Sequence, residues 1–461
     1  MCSFRNYWSY RYILTWRALI MIGRTTIFAA AVATLGLLQG AVLAQTDWGY
    51  PVLPAGCTGG AAVPGACDCT ATSGGAVASS AGAYGDPYGP ECAAGGQFGQ
   101  HHPNCNCLRC RPRHWWASFD GLMWWGKGRS MPALLTTSPP GTAGILPGAA
   151  VLFGDGQVGN RLAGGARADF GFWFDDAETL GAGARVWGLD GSSSGVSLTS
   201  ADGSTVLARP FHNAILNAPD SLLIAAPGIL AGHVDIQTTS AVTAAEAYLR
   251  SSMLSGRGYD IDFIGGYHFV RLDDDLLVDT DSVSIDPAGA VAVGTEIDLV
   301  DTFEARNEFH GGQVGVVTEI RRGCWTLTGL GKMSVGNMRQ TVIVDGLTSI
   351  TPPGNPSTIT PGGMLALPTN MGIYTQDVTA FIPEFNMNLA WEYNDWLRLT
   401  MGYSVVYFSN VAFAGDQIDT VINRTQFNGG LLVGPARPDF TGFHTTDYWL
   451  HGMTLGVTVT F

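Results

Sequence analysis

The chain ends in Tyr448-Trp449-Leu450-His451-Gly452-Met453-Thr454-Leu455-Gly456-Val457-Thr458-Val459-Thr460-Phe461, a segment in which bulky and small side chains alternate. Counted back from Phe461 in steps of two, one face carries Val459, Val457, Leu455, Met453, His451 and Trp449, and the other carries Thr460, Thr458, Gly456, Thr454 and Gly452. This period of two predicts a β-strand with one apolar face. Such a strand is typical of a lipid-facing barrel wall, and it also occurs half-buried in soluble sandwiches.

The composition favours the membrane barrel over the soluble sandwich. Only 13% of the residues are charged, 46% are hydrophobic, and 62 are glycine. Low charge without long apolar runs fits strands that alternate between lipid and a polar lumen. Beyond the N-terminus no apolar run reaches about 18 residues, so we predict no membrane-spanning helix. The net charge of −14 argues against nucleic acid as a partner.

The first 44 residues have the organisation of a secretory signal peptide. Arg24 precedes the apolar stretch Thr25 to Leu43, and Val42-Leu43-Ala44 forms a small-residue cleavage site. We therefore predict a signal peptide over residues 1–44 and export of the mature chain. Met21 would begin a signal of ordinary length and is a candidate translation start. An N-terminal helical anchor is the alternative interpretation.

Residues 45–114 are rich in Gly, Ala, Ser and Pro, a composition that cannot bury a core. We predict a flexible, disordered periplasmic tail. Its cysteines are Cys57, Cys67, Cys69, Cys92, Cys105, Cys107 and Cys110. Because exported cysteines usually form disulfides, we favour disulfides over a zinc site with His101-His102, whose spacing matches no standard finger. Cys324 is an eighth candidate that pairs with the tail if both face the periplasm.

Strand patterns fill the chain from Trp115 onward. The clearest alternation runs from Arg161 to Asp175, and a second strand from Leu180 to Leu189 follows a short link. The same pattern predicts strands at Thr243 to Leu254, Tyr259 to Arg271, Asn307 to Ile320, Trp325 to Gln340, Phe381 to Glu392 and Trp396 to Val411. With the strand that starts at Trp115 and the terminal strand, the count is ten. Further strands at Val291 to Val300 or Thr341 to Val344 would raise the count to as many as twelve.

Short and long connections alternate between these strands. The links 176–179, 255–258, 321–324 and 393–395 are short, whereas 126–160, 190–242, 272–306, 341–380 and 412–447 are long. An even number of antiparallel strands with tight turns at one end and long loops at the other is typical of an up-and-down barrel in an outer membrane. We therefore predict an all-β, antiparallel transmembrane β-barrel over residues 115–461, with both chain ends in the periplasm.

Several segments resemble the putative β-barrel porin-7 family. They are Asp301-Thr302-Phe303-Glu304-Ala305-Arg306-Asn307-Glu308-Phe309-His310-Gly311-Gly312-Gln313-Val314-Gly315, Gly265-Gly266-Tyr267-His268-Phe269 with Leu272-Asp273-Asp274-Asp275-Leu276, Pro383-Glu384-Phe385, and Gly415-Asp416-Gln417-Ile418-Asp419. The resemblance covers roughly Trp115 to Phe461 and implies an outer-membrane barrel with a porin's transport role. The last strand also resembles the terminal strand of bacterial outer-membrane proteins, which implies that Phe461 is read by the barrel-assembly machinery.

The polar faces of the predicted strands carry the charges that we expect to line the lumen. They are Arg161, Arg167, Asp169, Arg185, Glu246, Arg250, Asp260, Asp262, Lys332, Glu384, Glu392 and Arg398. In an open lumen these charges set selectivity, whereas in a closed one they pair as a packed polar core. Ten strands lie nearer the filled end of the size range. We predict a porin for passive passage of small polar solutes; the alternative is a structural or adhesive surface barrel with a closed lumen that acts through its long acidic loops.

The sequence indicates no catalytic, metal or cofactor site, and we predict no enzymatic activity. The aspartates at 273, 274, 275, 279, 281 and 286 lack EF-hand spacing, so we interpret them as a solvated acidic loop. A barrel protease would need carboxylates and histidine at its mouth. Asp260, Asp262 and His268 share a face, but the aspartates begin their strand at the periplasmic end. The expected partners are outer-membrane lipid and the assembly machinery, and the sequence leaves a homo-oligomer open.

Overall fold

The computed structural model describes residues 114–460, except Arg257, Ala290 and Asp395. The predicted signal peptide, the cysteine-rich tail up to residue 113 and the predicted assembly signal Phe461 lie outside the described residues. None of the helices in the described part is long and apolar enough to be a membrane span.

Ten long strands form one closed antiparallel sheet. They are β1 (Trp115–Gly126), β2 (Leu162–Trp173), β3 (Leu180–Ser200), β4 (Leu230–Gly256), β5 (Tyr259–Ser284), β6 (Glu296–Arg322), β7 (Trp325–Thr351), β8 (Gly372–Glu392), β9 (Leu397–Ala412) and β10 (Thr445–Thr460). Each strand pairs with the next one along the chain. Because β10 also pairs with β1, the sheet has no free edge. The predicted up-and-down barrel of ten strands is confirmed.

Tight turns lie at one end of the barrel and long loops at the other, as predicted. In the turn between β6 and β7, Gly323 has a φ of +60°, the left-handed conformation that two-residue hairpins favour. Following the rule for outer-membrane barrels, we refer to the end with tight turns as the periplasmic end and to the end with long loops as the extracellular end. The long loops are 127–161, 201–229, 285–295, 352–371 and 413–444.

The central strands extend well beyond their predicted ends. The strand predicted to stop at Arg271 continues as β5 to Ser284, and β6 begins at Glu296 rather than at Asn307. Thr341 to Val344, predicted as a candidate extra strand, belongs to β7. These additions lengthen the barrel and leave its strand number at ten.

The predicted acidic loop at 272–306 is therefore wrong. Asp273, Asp274, Asp275, Asp279 and Asp281 all lie on β5 and only 285–295 connects it to β6. Asp274 faces the interior and is buried, while its neighbours on the strand face outward. A strand places successive side chains on opposite faces, so this acidic run is divided between the two sides of the wall.

The outer face changes from apolar to charged at one level of the wall. On β6, outward-facing Val314 and Val316 are exposed although apolar, which is typical of lipid contact. Higher on the same face, Glu308 lies in register with Arg271 of β5 and Arg339 of β7. Beyond this charged row, β5 continues for about 45 Å of strand. The barrel wall therefore extends far past its apolar belt.

The long loops fold together over this extension. Short strands from three loops, Leu135–Thr137, Ala150–Phe153, Leu207–Asn213, Ala218–Ala225 and Val421–Ile422, form a five-stranded sheet. Leu135, Phe211 and Ile422 from these loops share one hydrophobic core with Val278 and Phe303 of the wall. The extracellular half is thus packed like a soluble domain, with an apolar inside and a polar outside.

Candidate functional site: the lumen and its closure

All of the predicted lumen residues except Arg161 lie on interior-facing strand positions. Arg167, Asp169, Glu246, Asp262, Lys332 and Glu384 are buried, and Arg185, Arg250, Asp260, Glu392 and Arg398 are partly buried. Arg161 lies just before β2, is exposed, and borders a cleft of only about 20 Å³. The geometry brings most of the predicted charges together into ion pairs. Their role as a channel lining remains a prediction.

The middle of the lumen is crossed by a network of ion pairs. Lys332 Nζ on β7 lies 2.6 Å from Glu246 of β4 and 2.8 Å from Glu384 of β8. Arg185 Nη1 on β3 lies 3.7 Å from Glu384. Because β3 and β8 stand on opposite sides of the ring, this contact spans the full width of the lumen. His268 lies within the same network, with Nδ1 2.8 Å from the Ser334 hydroxyl.

A second group of contacts centres on Asp169 of β2. Arg185 Nε donates to its carboxylate at 2.9 Å, and Trp116 Nε1 and the Tyr248 hydroxyl also donate to it at 2.9 and 3.0 Å. Beside it, Arg167 Nε donates to Asp120 at 2.9 Å. Carboxylates with several donors and a cationic partner fill space as a fixed polar core. At this level of the barrel the interior charges are paired with one another.

Charged pairs also fill the periplasmic end. Arg250 lies 2.6 Å from Asp262 and 3.2 Å from Glu319, and its guanidinium stands over the rings of Trp116 and Trp173. Asp260 pairs with Arg321 at 2.9 Å, and Glu392 pairs with Arg398 at 3.3 Å. The carboxylates of Asp260 and Asp262 are thus bound by arginines, away from His268. The three residues considered for a protease do not converge.

An apolar layer crosses the lumen above the ion pairs. Nine strands contribute buried side chains to it, the partly buried Ala163 of β2 packs against it, and Phe413 enters from the loop 413–444. The largest members are Trp124, Trp187, Phe309, Phe408 and Phe413, which are all at most 2% exposed. Trp124 and Trp187 lie with their ring centroids 5.3 Å apart. On β6, for example, Phe309 lies between Gln313 of the polar lumen and Asn307 of the extracellular half.

Asp301 of β6 fastens two extracellular loops to the wall. Its Oδ1 accepts hydrogen bonds from the backbone amides of Met364, Leu365 and Ala366 at 2.8 to 2.9 Å. Its Oδ2 lies 2.5 Å from Arg209 of the hairpin Leu207–Ala225. Both side chains of the ion pair are buried. We refer to Asp301 and these contacts as the Asp301 latch.

Asp274 of β5 holds two other loops in the same manner. Its Oδ2 accepts a hydrogen bond from the Ala414 amide at 2.9 Å, and its Oδ1 is bound by Arg129 of the loop 127–161. Nearby, Asn307 accepts from the Ala412 amide at 2.8 Å and donates to the Ala412 carbonyl at 2.9 Å. We refer to Asp274 and its two partners as the Asp274 latch. Together the two latches fix four loops over the mouth.

Asp416, beside the Asp274 latch, carries an unfavourable charge. Burial and the nearby Asp274 carboxylate raise its pKa to about 6, although His444 and Lys127 act in the opposite direction. Its Oδ2 is buried and has no hydrogen-bond partner among the described residues. The nearby His444 and Lys127 offset only part of the cost of burying the ionised carboxylate beside Asp274. We therefore expect the stability of the loop 413–444 to depend on the protonation of this residue.

The latch residues were not identified as functional from the sequence. Asp274, Asp301 and Asn307 lie in the segments that carry the family resemblance, so a signal was present. Their partners are more than 60 residues away along the chain in most cases, with Met364 63 and Ala414 140 residues distant. Asp120 was also missed, although the alternation of β1 places it on the same face as Trp116 and Trp124.

Cys324, in the turn between β6 and β7, is disulfide-bonded. It is the only cysteine between residues 114 and 460, so its partner lies outside the described residues. Within the described part of the chain, no group of three or more His, Cys, Asp or Glu side chains is placed to hold a metal ion.

A closed ten-stranded antiparallel barrel with an apolar outer belt and short turns at one end is a transmembrane barrel of the outer-membrane type. The chain belongs to the family described as Putative beta barrel porin-7 (BBP7), which matches residues 116–461. No curated protein has a matching sequence.

Solved barrels show low similarity to the chain. The outer membrane protease OmpT from Escherichia coli is 10% identical, with a TM-score of 0.37 over 76% of this chain and 97% of OmpT. The toluene transporter TodX of P. putida is 12% identical, with a TM-score of 0.14 over 77% of this chain and 92% of TodX. A TodX deletion mutant, described as a monoaromatic hydrocarbon channel, is 8% identical with a TM-score of 0.19, over 77% of this chain and 91% of the mutant.

Proposed function

We propose that this protein is an outer-membrane barrel whose lumen is closed and whose activity resides on its extracellular loops, as a structural or adhesive surface protein. The observation that carries the proposal is the apolar layer, to which nine of the ten strands contribute buried side chains. A narrow apolar constriction excludes water, and ions do not pass through it because they would lose their hydration shell. The charged pairs below the layer are then a polar core that stabilises the barrel.

The fixed arrangement of the loops supports a role on the outer surface. The two latches hold four loops against the wall, and the five-stranded sheet joins the loops to one another. Parts of this assembly project freely: Leu431 is 87% exposed and Val433 is 64% exposed at the tip of the loop 413–444. A rigid scaffold that presents exposed loop tips is the usual setting of a binding surface.

Passive passage of small polar solutes is the second candidate, and the family description favours it. The ion pairs on interior strand positions would serve as its selectivity lining. Passage would require the apolar layer to part and at least one latched loop to leave the mouth. The closed-lumen proposal needs neither movement.

The remaining features fit either function. We propose that the chain is exported by its N-terminal signal, is assembled through the strand that ends at Phe461, and resides in the outer membrane. We also propose that it has no enzymatic activity and that a tail cysteine is the partner of Cys324.

Permeability and attachment separate the two candidates. Cells that lack the protein would be complemented with the wild-type chain or with a variant in which the loop tip Gly430–Gly434 is shortened. The closed barrel predicts that shortening the tip reduces surface attachment while the uptake of small polar solutes is the same with and without the protein. If deletion of the protein lowers solute uptake, and the wild-type chain and the shortened variant restore it equally, the result would favour passive passage of solutes. Heat-dependent migration in gels checks that both versions are folded.

A further inference from the structure

The loop 413–444 contains a polar cleft that the closed-barrel proposal does not use. Its volume is about 160 Å³, and its lining includes Gln417, Asp419, Arg437, Asp439, Phe440 and His444. Gln417 and Asp419 belong to Gly415-Asp416-Gln417-Ile418-Asp419, one of the segments that carry the family resemblance. The cleft is part of the loop 413–444 and lies on the side of the barrel that carries the long loops.

The floor of the cleft is held rigid by two side chains. Asp419 Oδ2 accepts from Arg437 Nη1 at 2.8 Å and from the Asp439 amide at 3.0 Å. Gln417 Nε2 donates to the His444 carbonyl at 2.7 Å, and its Oε1 accepts from the His444 amide at 3.1 Å. These bonds join the beginning and the end of the loop. A ligand would therefore meet groups that are already in position, which lowers the entropic cost of binding.

One wall of the cleft is aromatic and fixed. Phe440 stacks on Tyr374 of β8 with ring centroids 3.8 Å apart and an interplanar angle of 9°. Phe443 meets the edge of Phe440 at 5.4 Å. Phe440 is only half-buried by these contacts, so part of its ring remains available at the cleft.

Several polar side chains at the cleft are exposed; Asp439 interacts electrostatically with Arg437, and His444 with Asp416. Asp439, Thr441 and His444 are exposed, and their side chains form no hydrogen bond or ion pair within the described part of the chain. They supply an acceptor carboxylate, a hydroxyl that both donates and accepts, and an imidazole. Arg437 adds guanidinium donors at the opposite side of Asp419. Hydrogen-bond donors and acceptors thus line the same small cleft, beside the ring of Phe440.

We propose that this cleft binds one sugar unit. The hydroxyls of a sugar ring are donors and acceptors at once, so they can pair with Asp439, His444 and Arg437 together, while the C–H face of the ring packs on Phe440. Two carboxylates disfavour an anionic ligand, and the polar lining disfavours an apolar one. The unit comes from a free monosaccharide or from the end of a surface polysaccharide. If this inference is correct, the proposed surface protein binds sugars. The inference rests on the proposed function in one respect, namely that the loop 413–444 faces the outside of the cell.

Saturation-transfer NMR on the refolded full chain tests the cleft. The protein would be held in a detergent without sugar groups and offered methyl glycosides of glucose, galactose, mannose and N-acetylglucosamine, and separately oligosaccharides that end in each of them. We expect transfer to the ring protons of at least one of these sugars. Signal from the methyl glycosides indicates a site for free sugar, and signal from the oligosaccharides alone indicates a polysaccharide end.

Two variants assign any binding to the cleft. Asp439→Asn removes a charged acceptor, so we expect affinity to fall about tenfold or more. Thr441→Val, a milder change at an exposed position, should also weaken binding, whereas Asp202→Asn in another extracellular loop should not. Absence of transfer from every sugar to the folded wild type, or equal binding by Asp439→Asn, would overturn the inference. Conductance measurements are independent of this result: a silent barrel without sugar binding refutes only the cleft, and a conducting barrel that binds sugar refutes only the closed lumen.

Discussion

Asp301 shows how much of the extracellular structure can depend on one carboxylate. One of its oxygens accepts hydrogen bonds from three backbone amides, and the other forms an ion pair with Arg209. A single side chain therefore joins two loops to the wall. Hydrogen bonds to a charged acceptor are stronger than neutral ones. Loss of the charge would also leave the buried Arg209 guanidinium without its counterion, which is the costly outcome for a buried pair.

We therefore expect Asp301→Asn to weaken loop closure by about 3 to 5 kcal/mol. Hydrogen–deuterium exchange should become faster in residues 362–371 and in the hairpin Leu207–Ala225, while the membrane-embedded strands remain protected. Asp345→Asn, at an exposed position on β7, is the matched control and should leave exchange unchanged. Unaltered exchange in both loops of the Asp301 variant would show that the latch does not hold them.

Asp416 predicts a pH dependence in the loop 413–444. Its pKa is raised from 3.8 to about 6, mainly by burial, so the folded loop binds the proton more tightly than the unfolded chain does. The folded loop is then most stable below about pH 4 and loses stability as the pH rises through 6. Because part of the carboxyl group is in contact with solvent, the expected loss is only about 1 kcal/mol.

Asp416→Asn should remove this loss. After correction for intrinsic exchange rates, amides in residues 413–444 should be better protected in the variant than in the wild type at pH 7.5, with little difference at pH 4. Wild-type protection that stays constant or increases with pH would contradict the assignment.

Residue-level prediction from the sequence worked where the period of two was clear. Arg167 and Asp169 were placed on the inner face of β2 because the alternation there is unbroken, and both are buried. Strand alternation could not predict which residue each of them pairs with. Arg185 meets Glu384 only because the sheet closes and brings β3 opposite β8. Such contacts depend on closure of the barrel, which no local pattern encodes.

At the level of the elements, the central strands β5 and β6 each consist of two parts with different side-chain patterns. In the apolar belt the outward side chains of β6 are apolar, as at Val314 and Val316. In the extracellular extension the pattern is inverted: on β5, Leu276 and Val278 face inward and are buried, while Asp279 faces outward. The sequence prediction ended these strands near Arg271 because it followed the outward apolar pattern, which stops there.

The two parts of β6 should respond differently to the same charge. Val316→Arg places a guanidinium in the middle of the apolar belt and should cost about 2 to 4 kcal/mol of folding free energy in vesicles. Thr302→Arg, on the same face within the extension, should change stability by less than about 0.5 kcal/mol. Urea titration of folding into lipid vesicles measures both. Equal costs would mean that the boundary of the belt is misplaced.

The periplasmic turn that contains Cys324 predicts a covalent link to the N-terminal segment. Cys324 is disulfide-bonded and is the only cysteine in residues 114–460. Peptide mapping without reductant should therefore recover it joined to a peptide from residues 45–114. Recovery of Cys324 as a free thiol would remove this prediction and the proposed tether with it.

For the whole molecule, the sequence predicted the barrel and left its lumen undecided. Strand alternation and the order of short and long connections were sufficient for ten strands and for placing the short turns at one end of the barrel. They could not distinguish a charge-lined channel from a packed core, because both use the same interior charges. The difference lies in the apolar layer, whose members come from nine strands and one loop and meet only in the folded barrel.

Single-channel recording of the refolded protein in a planar bilayer tests the closed lumen most directly, on a sample shown to be folded by heat-dependent gel migration. The closed barrel predicts a silent membrane at moderate voltage, and the same silence for Arg167→Glu. Discrete current steps in the wild type, with an ion preference that Arg167→Glu shifts, would contradict the closed lumen and establish a charge-lined channel in its place.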